Sequence, residues 1–199
     1  MAYSVDSISA DCYEGTTCLI NKFNIRDEAK LAELEAMITL AKTSELEQGA
    51  LKDGFNENDY KIIHRQLFDT LYDWAGEYRT IDISKKGTAF AKHEDIPELL
   101  TNCFKRLKSM DYFRGLPFDD YIEEIVDIYC TTNYIHPFRE GNGRTQRVFL
   151  SQLVRYNGFE IHFSKIDTDD LMLATIHSAH GVVDYLREIF KEHIKPASD

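Results

Sequence analysis

His136-Pro137-Phe138-Arg139-Glu140-Gly141-Asn142-Gly143-Arg144-Thr145-Gln146-Arg147 reads as a turn that opens a helix. Gly141 and Gly143 flank Asn142 just ahead of an apolar-periodic run. A Gly-x-Gly turn there lets backbone N–H groups converge with no Cβ in the way. The helix N-terminus adds partial positive charge, so the loop suits an anion. Arg144 and Arg147, three apart, fall on one side of the first helical turn. Two guanidinium groups aimed at one anion suit two or three phosphates better than one carboxylate. Glu140, beside the cradle, is a carboxylate that can hold Mg2+. His136 titrates near neutrality and suits a general base. Base, metal carboxylate, anion cradle and Arg pair within twelve residues describe phosphoryl or nucleotidyl transfer.

Outward from this loop the chain is helical. A helix is expected from Arg144 to about Tyr156, carrying Val148, Phe149, Leu153 and Val154, and another from Pro117 to about Tyr134 on the stripe Tyr121, Ile122, Ile125, Val126, Tyr129 and Cys130. Further upstream, Glu94 to Met110 is helical, and so is Asn58 to Trp74, which stops at Gly76. Between those two, residues 79–92 alternate Ile81 and Ile83 with polar neighbours, and Lys86-Gly87 supplies a turn, which predicts a short β-hairpin. A first helix follows Asp27 and ends between Thr43 and Gln48; residues 1–26 read as an irregular arm. Asp167 or Thr168 caps a helix over 169–180, and a last helix covers 182–194. The expectation is an all-α fold of about seven helices with a small hairpin, the arm followed by one domain over 27–199.

Composition narrows the function classes. The 199 residues hold 43% hydrophobic and 12% aromatic residues, which fits a globular chain. Lys plus Arg number 23 against 34 Asp plus Glu, a net charge of −11, which argues against a general nucleic-acid binder. Four cysteines, none in a CxxC, speak against a disulfide scaffold or a zinc ribbon. The N-terminus is polar, and the apolar runs fall well short of the roughly 18 residues a membrane span needs. A cytoplasmic bacterial protein is expected, with export lacking a cleaved signal left open. His177 and His180, three apart, are expected to be exposed or capping rather than metal ligands, with His162 and His193 the remaining candidates for a third ligand. His64 and His93 are expected to be structural, and Phe68, Tyr72 and Trp74 to belong to the core.

HPFREGNGRTQR resembles the signature of the Fic family, H-x-F-x-[DE]-G-N-G-R-x-x-R, at every specified position. Residues 63–91 resemble the family's helix-plus-flap region, and GTTCLINKFNIRD resembles the N-terminal arm of its toxin-type members. The resemblance implies a transferase that moves AMP from ATP to a Ser, Thr or Tyr hydroxyl of a target protein. By motif position it implies that His136 deprotonates the hydroxyl and Glu140 holds Mg2+. Gly141, Asn142 and Gly143 would form the anion hole, Arg144 would meet the inner phosphates and Arg147 the γ-phosphate, while Phe138 fixes the loop. Asn133, Ser84 and Lys85 would lie near the nucleotide. The flap, including Lys86, Gly87, Thr88 and Phe90, would pair with an extended target segment.

Family members are often restrained by a helix carrying [ST]-x-x-x-E-[GN]. Here the one [ST]-x-x-x-E, Thr43 to Glu47, is followed by Gln48 and reads as coincidence. The resemblance then implies a separate small antitoxin that supplies the Glu to Arg147. Type II topoisomerase subunits are among the targets of such members. Two alternatives stay open: a Doc-like kinase or transferase of another phosphate-bearing group, and a nucleotide-binding module. Doc-type motifs carry Lys where this chain has Gly141, which favours AMP transfer. Residues 79–93 and 134–157 each carry +3, which leaves −17 on the other 160. A basic flap and a basic loop set in an acidic body can focus a nucleotide into one cleft.

Overall fold

The computed structural model of the chain describes residues 11–49, 54–85 and 88–197. Among these run seven α-helices: α1 (Glu28–Gln48), α2 (Glu57–Phe68), α3 (Ile96–Ser109), α4 (Phe118–Ile135), α5 (Asn142–Tyr156), α6 (Thr168–Ser178) and α7 (Asp184–His193). The expected flap hairpin is present as β1 (Ser84–Lys85) against β2 (Thr88–Ala89), in the register Ser84 to Ala89 and Lys85 to Thr88. Lys86 and Gly87, its expected turn, lie outside the described residues. A second antiparallel pair, β3 (Phe159–Glu160) with β4 (Lys195–Pro196), was not expected. Two-residue strands carry no alternation to read, and this pair fastens the chain after α7 to the turn after α5.

Local chemistry sets the helix ends. Asp27 caps α1 by accepting from the Lys30 amide, and Asn56 with Asp59 forms a reciprocal capping box on α2. Asp167 caps α6 by accepting from the amides of Asp169 and Asp170. α2 ends at Phe68, six residues before the expected Trp74. The amides of Leu71 and Tyr72 both fold back onto the Phe68 carbonyl, and the chain reverses at Gly76 with φ +83°. Leu71 and Tyr72 stay buried through this turn, so the apolar pattern continues where the helix does not. α5 starts at Asn142 rather than Arg144, because Gly141 takes a left-handed conformation and caps it. The arm is also less irregular than expected. Cys12 bridges to Leu19, and the buried Asn21 side chain accepts from the amides of Phe23 and Ile25 and donates to the carbonyls of Leu19 and Ile25.

α4 and α5 pack together at the centre. Gln146 on α5 donates to the Tyr129 carbonyl and to Thr132 Oγ1 of α4, both at 2.7 Å. α1 lies along the other side of α5, and Tyr60, Phe104, Phe138 and Phe149 interlock beneath them in edge and stacked contacts. The loop between α4 and α5 is thereby rooted in the aromatic core.

Candidate active site

α4 ends at His136, which takes a left-handed conformation at φ 46°, ψ 59°. Such a backbone is costly for a non-glycine residue and persists only where the surroundings enforce it. Arg79 supplies that enforcement. Its buried guanidinium donates to the carbonyls of His136 (2.9 Å), Ile135 (3.3 Å) and Ile81 (2.7 Å) and to that of Ala91, while its amide donates to Pro137. One side chain therefore holds the C-terminal carbonyls of α4 and both stems of the flap.

Beyond His136 the loop is pinned from below. The Phe138 ring is fully buried and stacks on His64 at 3.8 Å. Asn142 braces the turn, accepting from the Phe138 amide (2.8 Å) and donating to the Phe138 carbonyl (2.7 Å). Gly141 has φ +78°, and a Cβ there would stand 2.2 Å from the Phe68 ring. His64 accepts the Gly76 amide at Nδ1, so its Nε2 carries the hydrogen and donates to the Glu140 carbonyl at 3.0 Å. Burial pushes the His64 pKa down to about 3. His64 is thus structural, as expected, and holds the loop from behind. Arg139, also buried, ties the loop to the arm through Asp11 (3.4 Å) and Cys12 Sγ (3.7 Å).

The His136 imidazole faces the flap. Its Nδ1 lies 3.0 Å from the Asn133 carbonyl, an acceptor, so Nδ1 carries the hydrogen and Nε2 is the basic nitrogen. The Phe90 ring lies over it, and only 6% of His136 is exposed. Burial pushes the His136 pKa down to about 3, with the Lys85 and Arg79 charges adding to the shift against the Asn133 hydrogen bond.

From His136 a cleft of about 780 Å³ runs past Gly143, Arg144 and Arg147 to α6, a volume within the usual ~300–1,000 Å³ of small-molecule sites. Of the residues expected at the site, Lys85, Thr88, Phe90, Asn133, His136, Gly143, Arg144 and Arg147 line it. Ser84, Phe138, Glu140, Gly141 and Asn142 do not; Phe138, Gly141 and Asn142 shape the turn behind it. Glu140 stands behind Arg144, its Oε1 accepting the Gly141 amide at 2.8 Å and lying 3.5 Å from the Arg144 guanidinium. Burial raises its pKa. A site with one protein carboxylate fits Mg2+, which takes few protein ligands and completes its shell with phosphates and water. Among the described residues no group of three or more His, Cys, Asp or Glu could hold a metal ion without such help.

Arg147 curls back so that its NH1 comes within 3.2 Å of where a Cβ on Gly143 would be. Burial first, and then the Arg144 charge, lowers its pKa. Arg144 is held more firmly: it stacks over Phe68 at 4.8 Å and is bonded to Glu35 and Thr39 of α1. This α1 contribution was missed in the sequence. Glu35, Thr39, Thr43 and Glu47 recur every four residues and form one stripe along the helix, and three of them line the cleft. The spacing was there to be read, hidden by apolar residues on the other faces.

Residues 54–154 match the Fic/DOC family. A Sinorhizobium fredii relative, "Probable protein adenylyltransferase y4lH", is 36% identical over 172 residues, covering 85% of this chain and 88% of that protein. Protein adenylyltransferase VbhT of Bartonella schoenbuchensis is 30% identical over 90% of this chain, which spans 37% of that longer protein. The crystal structure of BepC from Bartonella tribocorum with bound AMPPNP superposes with a TM-score of 0.89 at 26% identity, covering 94% of this chain and 97% of that one. By motif, fold and kinship, the chain belongs to the Fic/DOC family.

Proposed function

We propose that this chain is a protein adenylyltransferase: it transfers AMP from ATP to a hydroxyl side chain of a target protein and releases pyrophosphate. The observation that carries this reading is His136, its Nδ1 3.0 Å from the Asn133 carbonyl, at one end of the cleft that Gly143, Arg144 and Arg147 also line. The target oxygen forms a bond to the α-phosphorus, the bond from that phosphorus to the β-phosphate bridging oxygen breaks, and the hydroxyl proton passes to His136 Nε2. The amides at the start of α5 and Arg144 bind the inner phosphates, and Arg147 binds the γ-phosphate. Glu140 would hold Mg2+, which supplies charge neutralisation on the α and β phosphates. Bound nucleotides in relatives support the substrate class, AMPPNP in BepC and ADP in a Bartonella quintana Fic domain.

The flap carries the target. Phe90, just after β2, stacks on His136, and the β1–β2 pair can accept an extended segment by strand addition. Restraint by a separate small antitoxin is part of the same reading. Among the described residues the Arg147 guanidinium has no side-chain hydrogen bond or ion pair, and Arg147 lines the cleft, so a carboxylate from another protein can reach it. A type II topoisomerase subunit is the target to try first.

ATP labelled at the α or the γ position, incubated with the chain and a bacterial lysate, tests the transfer. Protein label from the α position alone is expected, and it should vanish in His136→Ala. Label from γ alone means a kinase, and label from neither means a binding module.

A further inference from the structure

Glu35 lies on α1, outside the residues that match the family, and is 8% exposed. A carboxylate in such a place needs partners. It has two, from different parts of the chain: Oε2 accepts the Tyr72 hydroxyl and Oε1 accepts Arg144 NH2, each at 2.5 Å. Burial, and then Glu35 itself, raises the Tyr72 pKa, so the phenol stays protonated and remains a donor. The second Arg144 nitrogen, NH1, donates to Thr39 Oγ1 one turn along α1, at 3.3 Å. Thr39 in turn donates to the Glu35 carbonyl at 2.7 Å. The Phe68 ring supports the guanidinium plane from a third side. A free arginine on the first turn of a helix would sample many rotamers. This one is held by the Glu35 carboxylate, a hydroxyl and an aromatic face, with Glu140 a looser second carboxylate at 3.5 Å, and it lines the cleft.

We propose that Glu35 is a positioning residue: it fixes the Arg144 guanidinium across the α1–α5 contact so that Arg144 meets the inner phosphates of the nucleotide already aligned. The inference rests on Arg144 being a phosphate contact, as proposed above. Glu35 touches no substrate in this scheme. It acts by removing the entropy that Arg144 would otherwise lose on binding, and by setting which edge of the guanidinium faces the cleft. Tyr72 donates to the other carboxylate oxygen, Oε2, and has no part in the contact to Arg144. The opposite role is also chemically clear, because a carboxylate paired with Arg144 could compete with phosphate. The two roles differ in the sign of the effect.

The test is nucleotide affinity measured on the full chain by titration calorimetry, with adenosine, ADP and ATP as probes. Glu35→Gln keeps the volume, and a thermal melt of the same sample checks the fold. The expected result is a loss of about tenfold for ADP and ATP, with adenosine affinity unchanged, because only the phosphate contact is disturbed. Arg144→Ala should show the same selectivity, and adding Glu35→Gln to it should cost little more. Tyr72→Phe should leave all three affinities within about twofold, since the Glu35–Arg144 pair survives. In transfer assays Glu35→Gln should raise KM for ATP more than it lowers kcat. Unchanged or tighter ATP binding in Glu35→Gln would overturn the positioning role, and so would a parallel loss of adenosine, which marks general disruption. If the wild-type chain binds neither ADP nor ATP, the nucleotide reading itself fails and the role falls with it. If it binds both and only Arg144→Ala weakens them, Glu35 alone is refuted.

Discussion

The ring of Phe90 lies flat on the imidazole of His136, 3.7 Å between centroids and 12° between planes. The flap thus covers one face of the ring whose in-plane Nε2 would take the target's proton. A base whose pKa is pushed down to about 3 is neutral across the physiological range. Transfer by the wild-type chain should therefore be flat from about pH 8 down to about pH 5, with no limb near the ordinary histidine value of about 6.5. Phe90→Ala exposes the ring to water, so an acid limb should appear near about pH 6.5. Initial rates from α-labelled ATP across this range check it. A wild-type rate that halves at the ordinary histidine pKa would show that the ring is not sealed.

The same burial predicts a pH-dependent stability. The pKa values of His64 and His136 are both about 3 in the folded chain, and both rings take up protons near their ordinary pKa when unfolded. Between pH 7 and pH 5 the unfolded state then binds more protons, so stability falls as pH falls, by about 2 kcal/mol for each ring. Glu140 works the other way, because its raised pKa lets the folded chain take a proton first. Urea midpoints at the two pH values measure the sum. His136→Ala should lose less on acidification than wild type, by about one ring's share. Equal losses in the two proteins would count against a buried neutral His136.

Much of this site was legible because its signal is contiguous. Twelve residues carry His136, the turn and both cleft arginines, and their types alone suggest the chemistry. Asp27 and Asp167 cap the helices they were expected to start. The residues that hold the loop in place were not legible. Arg144 meets Glu35 across 109 positions, Arg79 meets the His136 carbonyl across 57, and His64 meets that of Glu140 across 76. In sequence Glu35 looks like any charge on a helix face, and Arg79 like a polar residue at a strand end. Their roles exist only once the packing of α1, α2 and the flap stem against α5 brings the partners together. The end of α2 is not legible for a related reason, since the core keeps burying Leu71 and Tyr72 after the helix stops.

Arg79 is the most heavily bonded of these supports. Its guanidinium is 4% exposed as a residue and is spent on backbone carbonyls of α4 and of both flap stems. Lysine offers one ammonium in place of a planar fork and cannot serve all of them. Arg79→Lys should cost about 3 kcal/mol in urea unfolding, since charge-assisted bonds to buried carbonyls are lost. It should also cut transfer far more than ADP affinity, because the flap and His136 lose their alignment while Arg144 and Arg147 keep theirs. Calorimetry and α-label transfer on one preparation separate the two effects. Transfer at the wild-type rate in a destabilised variant would reduce Arg79 to a purely structural role.

Glu47 and Arg147 line the same cleft from α1 and α5, yet no ion pair joins them among the described residues. Glu47 Oε1 instead accepts the Ser151 hydroxyl at 3.3 Å, and the Glu47 carbonyl is bonded by Arg155. The Glu47 charge still reaches Arg147, opposing the fall in its pKa that burial causes. The arrangement leaves the Arg147 guanidinium open to a γ-phosphate. Arg147→Ala should therefore weaken ATP by about tenfold and leave ADP nearly unchanged, a loss in line with one charge-assisted phosphate contact. Glu47→Gly should alter transfer by less than about threefold, as expected of a charge near the site but not paired with it. Both follow from calorimetry and α-label transfer on the isolated chain. An increase of tenfold or more in Glu47→Gly would make α1 a built-in brake, and restraint by a separate antitoxin would then be unnecessary.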